Sequence, residues 1–187
     1  MYQNKHDKDG TCAAVGQRAE DIFKALAEER GYTVEVSSRE QQFNHIDFIL
    51  RKDGKEWKID IKGAKKLSRA NEKPCFEHVW IEKLNCRGQD GWLLGHASEI
   101  AFEIESEFVI VGRKDLLKLV EKLCDFEKTV AQSKKALYCG YRRFGRQDLL
   151  SLIKTTDLYT IHHTLWPKKT TTYQQESSSP MTTTKDS

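Results

Sequence analysis

Two aspartates and a lysine carry the most pointed chemistry in this chain. Asp47 and Asp60 flank an Asp53-Gly54 turn in "NHIDFILRKDGKEWKIDIKGAKK" (residues 44–66), and Lys62 follows the second acid by two residues. Alternating residues of a strand point to opposite faces, so His45, Asp47, Ile49 and Arg51 share one face of the first arm. Lys58, Asp60 and Lys62 share one face of the second. An Asp-Gly pair is the signature of a two-residue type I′ hairpin turn, which makes Lys52 face Lys55, Leu50 face Trp57, Phe48 face Ile59 and Ile46 face Ile61. The same register sets Asp47 opposite Asp60 and His45 opposite Lys62. Cross-strand Cβ atoms lie roughly 4.5–5.5 Å apart, close enough for two carboxylates to repel unless something cationic sits with them. A hard divalent ion such as Mg²⁺ takes one or two carboxylates and keeps its other positions for water and a phosphate oxygen. Lys62, about 6.6 Å along the same face, supplies a fixed positive charge beside that ion. The competing reading is an exposed, charge-decorated hairpin in which Lys62 neutralises the acids.

Two other stretches are strongly basic. "KGAKKLSRANEK" carries Lys65, Lys66, Arg69 and Lys73 beyond Lys62, against Glu72 alone, and begins where the second hairpin arm ends. Such cations hold backbone phosphates without reading sequence. "KKALYCGYRRFGR" (134–146) interleaves Tyr138, Tyr141 and Phe144 with five cations, among them Arg142, Arg143 and Arg146, a composition suited to phosphate contact and base stacking. Solvated loops are the alternative for both. Glu82 shares a strand face with His78 and Trp80 and is a candidate for the metal shell or for the surface. His45 is read first as a structural or exposed histidine. His162-His163 has no acids at ligand spacing, and no phosphate-loop glycine pattern occurs.

The elements that must hold these residues are legible from periodicity. Helical spacing over Thr11 to Arg30, with Val15, Ala19, Ile22, Phe23 and Leu26 as an apolar stripe, closes at Gly31. Strands are expected at 32–36, 78–84, around "IAFEIE" and "FVIVGR", with 37–42 as a polar loop. Further helices are expected from Lys114 to Val130 and near 147–156. The 187 residues suffice for one domain, read as 11–166, with a flexible N-terminus over 1–10 and a disordered Thr/Ser-rich tail over 167–187. The five cysteines contain no C-x-x-C pair, which argues against zinc ribbons, iron–sulfur clusters and disulfide frameworks. No run approaches the roughly 18 apolar residues of a membrane span, and the N-terminus lacks a signal peptide's apolar core. An intracellular protein is expected, cytoplasmic or with the nucleoid or nucleus, a phage- or virus-encoded one included. The net charge of +3 is too small to announce a nucleic-acid partner by itself.

Helix, strand and hairpin in this order, with an acid before the turn and D-x-K after it, resemble the PD-(D/E)xK nucleases, the restriction-endonuclease-like superfamily. The resemblance covers roughly residues 12 to 66, with Ile46 where the motif often has proline. "VGQRAEDIFKALAEERGYTVE" is similar to the first helix of archaeal-type Holliday junction resolvases, which makes Glu20 the matching metal-site glutamate. From the residues alone, Glu20 points to the sheet or stays in solvent with Lys24 as its i,i+4 partner. The resemblance implies an α/β (α+β) fold: a central mixed sheet with an αβββ start, flanked by helices, and a C-terminal helical extension. It implies Mg²⁺ (or Mn²⁺) held by Asp47, Asp60, the Ile61 carbonyl and Glu20, with Lys62 beside the attacked phosphate. The implied reaction is hydrolysis of DNA phosphodiester bonds. A duplex cut then requires a homodimer or two sequential nicks. The rival is a non-catalytic nucleic-acid-binding module on the same fold, working in a larger assembly.

Overall fold

In the computed structural model, which describes residues 11–67, 71 and 73–169, helix α1 (Thr11–Glu29) forms where the apolar spacing predicts it. Ala19, Phe23, Leu26 and Ala27 are buried along one stripe. Residues 1–10, Arg69, the tail from residue 170 and the side chain of Val15 lie outside what is described. The chain continues as β1 (Thr33–Val36), α2 (Arg39–Phe43), β2 (Phe48–Lys52), β3 (Lys55–Lys62), β4 (His78–Leu84), β5 (Glu99–Glu103), β6 (Glu107–Gly112) and α3 (Arg113–Leu123). It ends in β7 (Asp125–Val130), β8 (Cys139–Tyr141), β9 (Leu149–Lys154), α4 (Thr155–Leu158) and β10 (His163–Pro167).

The chain starts α1-β1-α2-β2-β3, so α2 interrupts the expected αβββ order, while β1, β2 and β3 are antiparallel neighbours. They open a six-stranded mixed sheet of order β1-β2-β3-β5-β6-β10, in which β3 and β5 run parallel. A second sheet has the order β4-β9-β8-β7. The class is therefore mixed α/β with a central mixed sheet and few helices. Strand alternation sends Phe48, Leu50, Ile59, Ile61, Ala101, Phe108 and Ile110 to the face covered by α1. Ile49, Ile100, Phe102, Val109 and Val111 go to the other face, against Val79, Ile81 and Ile153 of the second sheet and Leu116 and Val120 of α3. Phe23 stacks on Trp166 at 4.9 Å and meets Phe108 edge-on at 5.3 Å. Trp166 thus fastens the last strand under the first helix.

Several expectations are corrected. The helix expected from Lys114 to Val130 stops at Leu123, is capped by Cys124, and gives way to β7, in which Phe126 and Val130 are the half-buried residues. The helix expected near 147–156 is β9, a strand buried from Leu149 to Ile153 between β4 and β8. A strand covered on both sides reads as a continuous apolar run, which periodicity alone does not separate from a buried helix. The C-terminal extension is accordingly built largely from strands, not helices. The polar loop after β1 contains α2, capped by Ser38 and Gln41 in a reciprocal capping box. Strand β10 ends at Pro167, and Lys168 after it donates its backbone N–H to the Ser106 carbonyl at 2.8 Å. Among the described residues no helix is long and apolar enough to cross a membrane.

Candidate metal centre and nucleic-acid interface

The hairpin register is the one the turn dictates. Lys52 pairs with Lys55, Leu50 with Trp57 and Phe48 with Ile59. Asp53 and Gly54 both take positive φ, 52° and 72°, as a type I′ turn requires. The ladder stops at Phe48, however, so Asp47 and Asp60 are not a ladder pair. His45 takes φ 58°, and Ile46 turns into the core opposite to Phe48 instead of facing Ile61. This break changes what Asp47 does. Its N–H bonds the Ile59 carbonyl at 2.8 Å, its carbonyl accepts from Ser37 at 3.1 Å, and its Oδ2 accepts the Ile61 N–H at 2.7 Å. The carboxylate stands where a strand carbonyl would otherwise be. A strand residue directs its N–H and C=O to the same neighbour, so the Ile61 carbonyl opens toward Asp47 as well.

Asp60 sits one residue back and is 2% exposed. Its Oδ1 accepts from Lys62 Nζ at 2.5 Å, while its Oδ2 is buried without a hydrogen-bond donor among the described residues. Burial raises its pKa to about 7; Lys62 opposes the rise, and Asp47 adds to it by charge and by hydrogen bonding. Two ionised carboxylates are both acceptors, so a bond between Asp47 and Asp60 needs a proton or a cation between them. Lys62 is largely buried, with Nζ 5.2 Å from the centroid of the Trp92 ring. Trp92 begins a short 3₁₀ turn whose end is held by Arg113 donating to Leu93 and Ala97.

Glu20 faces this centre from α1. Burial, then Asp47 and Asp21, push its pKa up to about 7 against Lys62. Lys24 reaches Glu28 at 3.9 Å, so the surface alternative of a Glu20–Lys24 pair gives way to a Lys24–Glu28 pair. His45 lies half-buried at the rim; burial and then Lys62 lower its pKa, with Glu82, the Asp90 backbone and Asp47 opposing. A Cβ on Gly95 would come within 2.9 Å of His45 Cβ, so only glycine lets the Trp92 turn pack this closely on the histidine. Glu82 is half-buried on β4 and acts on His45 and Lys65 from a distance. Among the described residues no three His, Cys, Asp or Glu side chains gather into a ready metal cage. The donor set fits a water-rich Mg²⁺ site, which needs one or two carboxylates, better than a site walled by protein ligands.

Glu103 escaped the sequence reading. It is 3% exposed and takes both Arg18 contacts at 2.6 and 2.7 Å, the Ala64 N–H at 3.1 Å and Lys168 Nζ at 3.3 Å. One carboxylate thus ties together α1 two residues before Glu20, the loop two residues after Lys62, and Lys168 just beyond β10. An acid inside the apolar run "IAFEIE" was the available signal.

The two basic stretches meet. Trp80 of β4 donates its indole N–H to the Lys66 carbonyl at 3.3 Å, and its ring lies 5.8 Å from that of Tyr141. Lys65 is exposed and within electrostatic reach of Lys62 and Arg143 on one side and of Glu82 and Asp60 on the other. Lys66 and Lys73 are exposed, as is Arg142. Arg143 is partly committed, paired with the fully buried Asp148, and Arg142 donates to the Gln147 carbonyl at 3.1 Å. Arg146 is half-exposed and its backbone closes the turn onto Arg143. Comparison with family models, with curated proteins and with solved structures finds no match.

Proposed function

We propose that this chain is a Mg²⁺-dependent endonuclease, also served by Mn²⁺, that hydrolyses DNA phosphodiester bonds in the manner of the PD-(D/E)xK enzymes it resembles. The observation that carries the reading is the Asp60 Oδ2, buried beside Asp47 with no hydrogen-bond donor among the described residues. Buried polar atoms are ordinarily bonded, and a carboxylate pair held this close calls for a cation. Asp47, Asp60 and the Ile61 carbonyl would hold the ion, with Glu20 at its edge. Bound there, it polarises the scissile phosphate and lowers the pKa of a coordinated water. Asp47 contributes rigidity, since its carboxylate is fixed by the Ile61 N–H. Lys62, anchored by Asp60 and backed by Trp92, presents a positive charge where negative charge builds on the phosphorane-like transition state. Lys65, Lys66, Lys73 and the arginines of 142–146, with Arg69 by sequence position, supply the phosphate contacts that hold the strand.

The Lys62–Asp60 ion pair itself favours a second reading, a nucleic-acid-binding module in which Lys62 merely neutralises the acids. Cleavage of plasmid and branched DNA in Mg²⁺ or EDTA separates the two. The nuclease reading expects activity that disappears with EDTA and falls by about 10²–10³-fold or more in Asp60→Asn and Lys62→Ala. Cleavage that survives EDTA and both substitutions overturns it, and binding without cleavage under either metal favours the module.

A further inference from the structure

We propose that Phe144 is a stacking wedge for an unpaired base, so that the DNA this surface takes is one with an unpaired or unstacked nucleotide and not continuous duplex; its role in choosing a substrate rests on the nuclease reading above. Phe144 is fully exposed, at 106% of its reference area, the most exposed of the large apolar side chains described. Solitary surface apolar residues are common, but this one sits on a turn whose backbone is braced. It occupies the corner of a turn between β8 and β9, closed by Arg146 N–H donating to the Arg143 carbonyl at 3.0 Å. Gly145 follows at φ 70°, the conformation a type II turn demands at its third position.

Beneath the corner lies Asp148, 0% exposed, whose carboxylate takes the Arg143 backbone N–H at 3.0 Å and pairs with the Arg143 guanidinium. Arg142 Nη1 braces the same turn through the Gln147 and Asp148 carbonyls, at 3.1 and 3.4 Å. A buried charge is costly to keep, and here its bonds all go to fixing a turn that presents an aromatic ring to solvent. The ring is flanked by cations, Arg142, Arg143 and Arg146, while the acid of the turn is turned inward. That charge pattern complements a phosphate backbone, and a π-face beside it suits a base of any identity. Two contacts relay the strand before this turn to the segment that follows the candidate active centre. Tyr141, three residues before Phe144, packs on Trp80, which bonds the carbonyl of Lys66, four residues beyond Lys62.

The test uses the full chain in EDTA, where no cleavage intervenes, and two DNA probes at one salt concentration: a perfect duplex, and the same duplex with one unpaired 2-aminopurine. The wild type should bind the second probe more tightly and quench its fluorescence. Phe144→Ala should lose that quenching and about tenfold in affinity for the unpaired-base probe while staying within about twofold on duplex; Phe144→Trp should keep both properties. Unchanged binding and quenching in Phe144→Ala, or equal loss on both probes, overturns the wedge; the first outcome is also what a protein-docking role for Phe144 would give. Quenching without cleavage of any DNA under Mg²⁺ or Mn²⁺ removes the nuclease reading and leaves the wedge standing. Cleavage with unaltered Phe144→Ala binding does the reverse.

Discussion

Asp60→Asn should make the metal-free protein's stability less dependent on pH. Burial lifts Asp60 from 3.8 to about 7 in the folded protein. Between those values the folded protein keeps a proton that the unfolded chain has released, so stability is greatest at low pH, declines as pH rises toward about 7, and levels off above it. With Asp60 only 2% exposed, solvent screening does little to reduce the effect. The two pKa values correspond to a loss of about 2–3 kcal/mol between about pH 5 and pH 8, and Glu20 adds a smaller loss of the same sign. An asparagine keeps an acceptor for Lys62 and has no charge to bury. Urea unfolding in EDTA at several pH values should show the wild type losing this amount and the variant losing only the Glu20 share. At pH 8, Mg²⁺ should restore stability to the wild type, by about 2.7 kcal/mol at a hundredfold excess over the dissociation constant, and leave the variant unmoved. Parallel pH profiles for the two proteins in EDTA would refute the placement of a strained acid at residue 60, and equal stabilisation of both by Mg²⁺ would refute its role as a ligand.

Glu103→Ala strips the shared partner from Arg18, Ala64 N–H and Lys168, and should cost about 1–3 kcal/mol, measured by denaturant unfolding, because the Ala64 N–H loses its acceptor and Lys168 its ion pair. Any activity should fall with it, since Glu20 and Lys62 lie on the elements it joins. Gly54→Ala meets no atom within 4 Å at its Cβ, so its whole cost is the positive φ, about 1–2 kcal/mol in thermal or urea unfolding, and the m-value should stay unchanged.

The hairpin was readable because an Asp-Gly turn admits few registers and the period of two is strict on either side. Where the ladder ends was not readable, because it depends on His45 at positive φ and on the capped turn of α2, and neither is visible in the alternation of Ile46 to Leu50. α1 was legible from its stripe, yet the direction of Glu20 was not: a residue at the stripe's edge is decided by what packs there, here Asp47 and Lys62. β9 was misread because burial on both sides erases the alternation that marks a strand. The contact between the two basic stretches escaped the sequence because it passes through Trp80, on a strand that pairs with β9 across about seventy residues of chain.

Asp47 lends its carboxylate to the sheet, taking an N–H that no backbone carbonyl meets, whereas Asp60 and Lys62 satisfy mainly each other. Drift therefore has unequal freedom at the three positions. A descendant of this chain without the proposed chemistry could exchange Asp60 and Lys62 together for an apolar pair of similar volume and gain stability by doing so. It would still be held to aspartate or asparagine at 47, so the acid that survives longest in such a lineage reports on the fold, and only the pair at 60 and 62 reports on the proposed reaction.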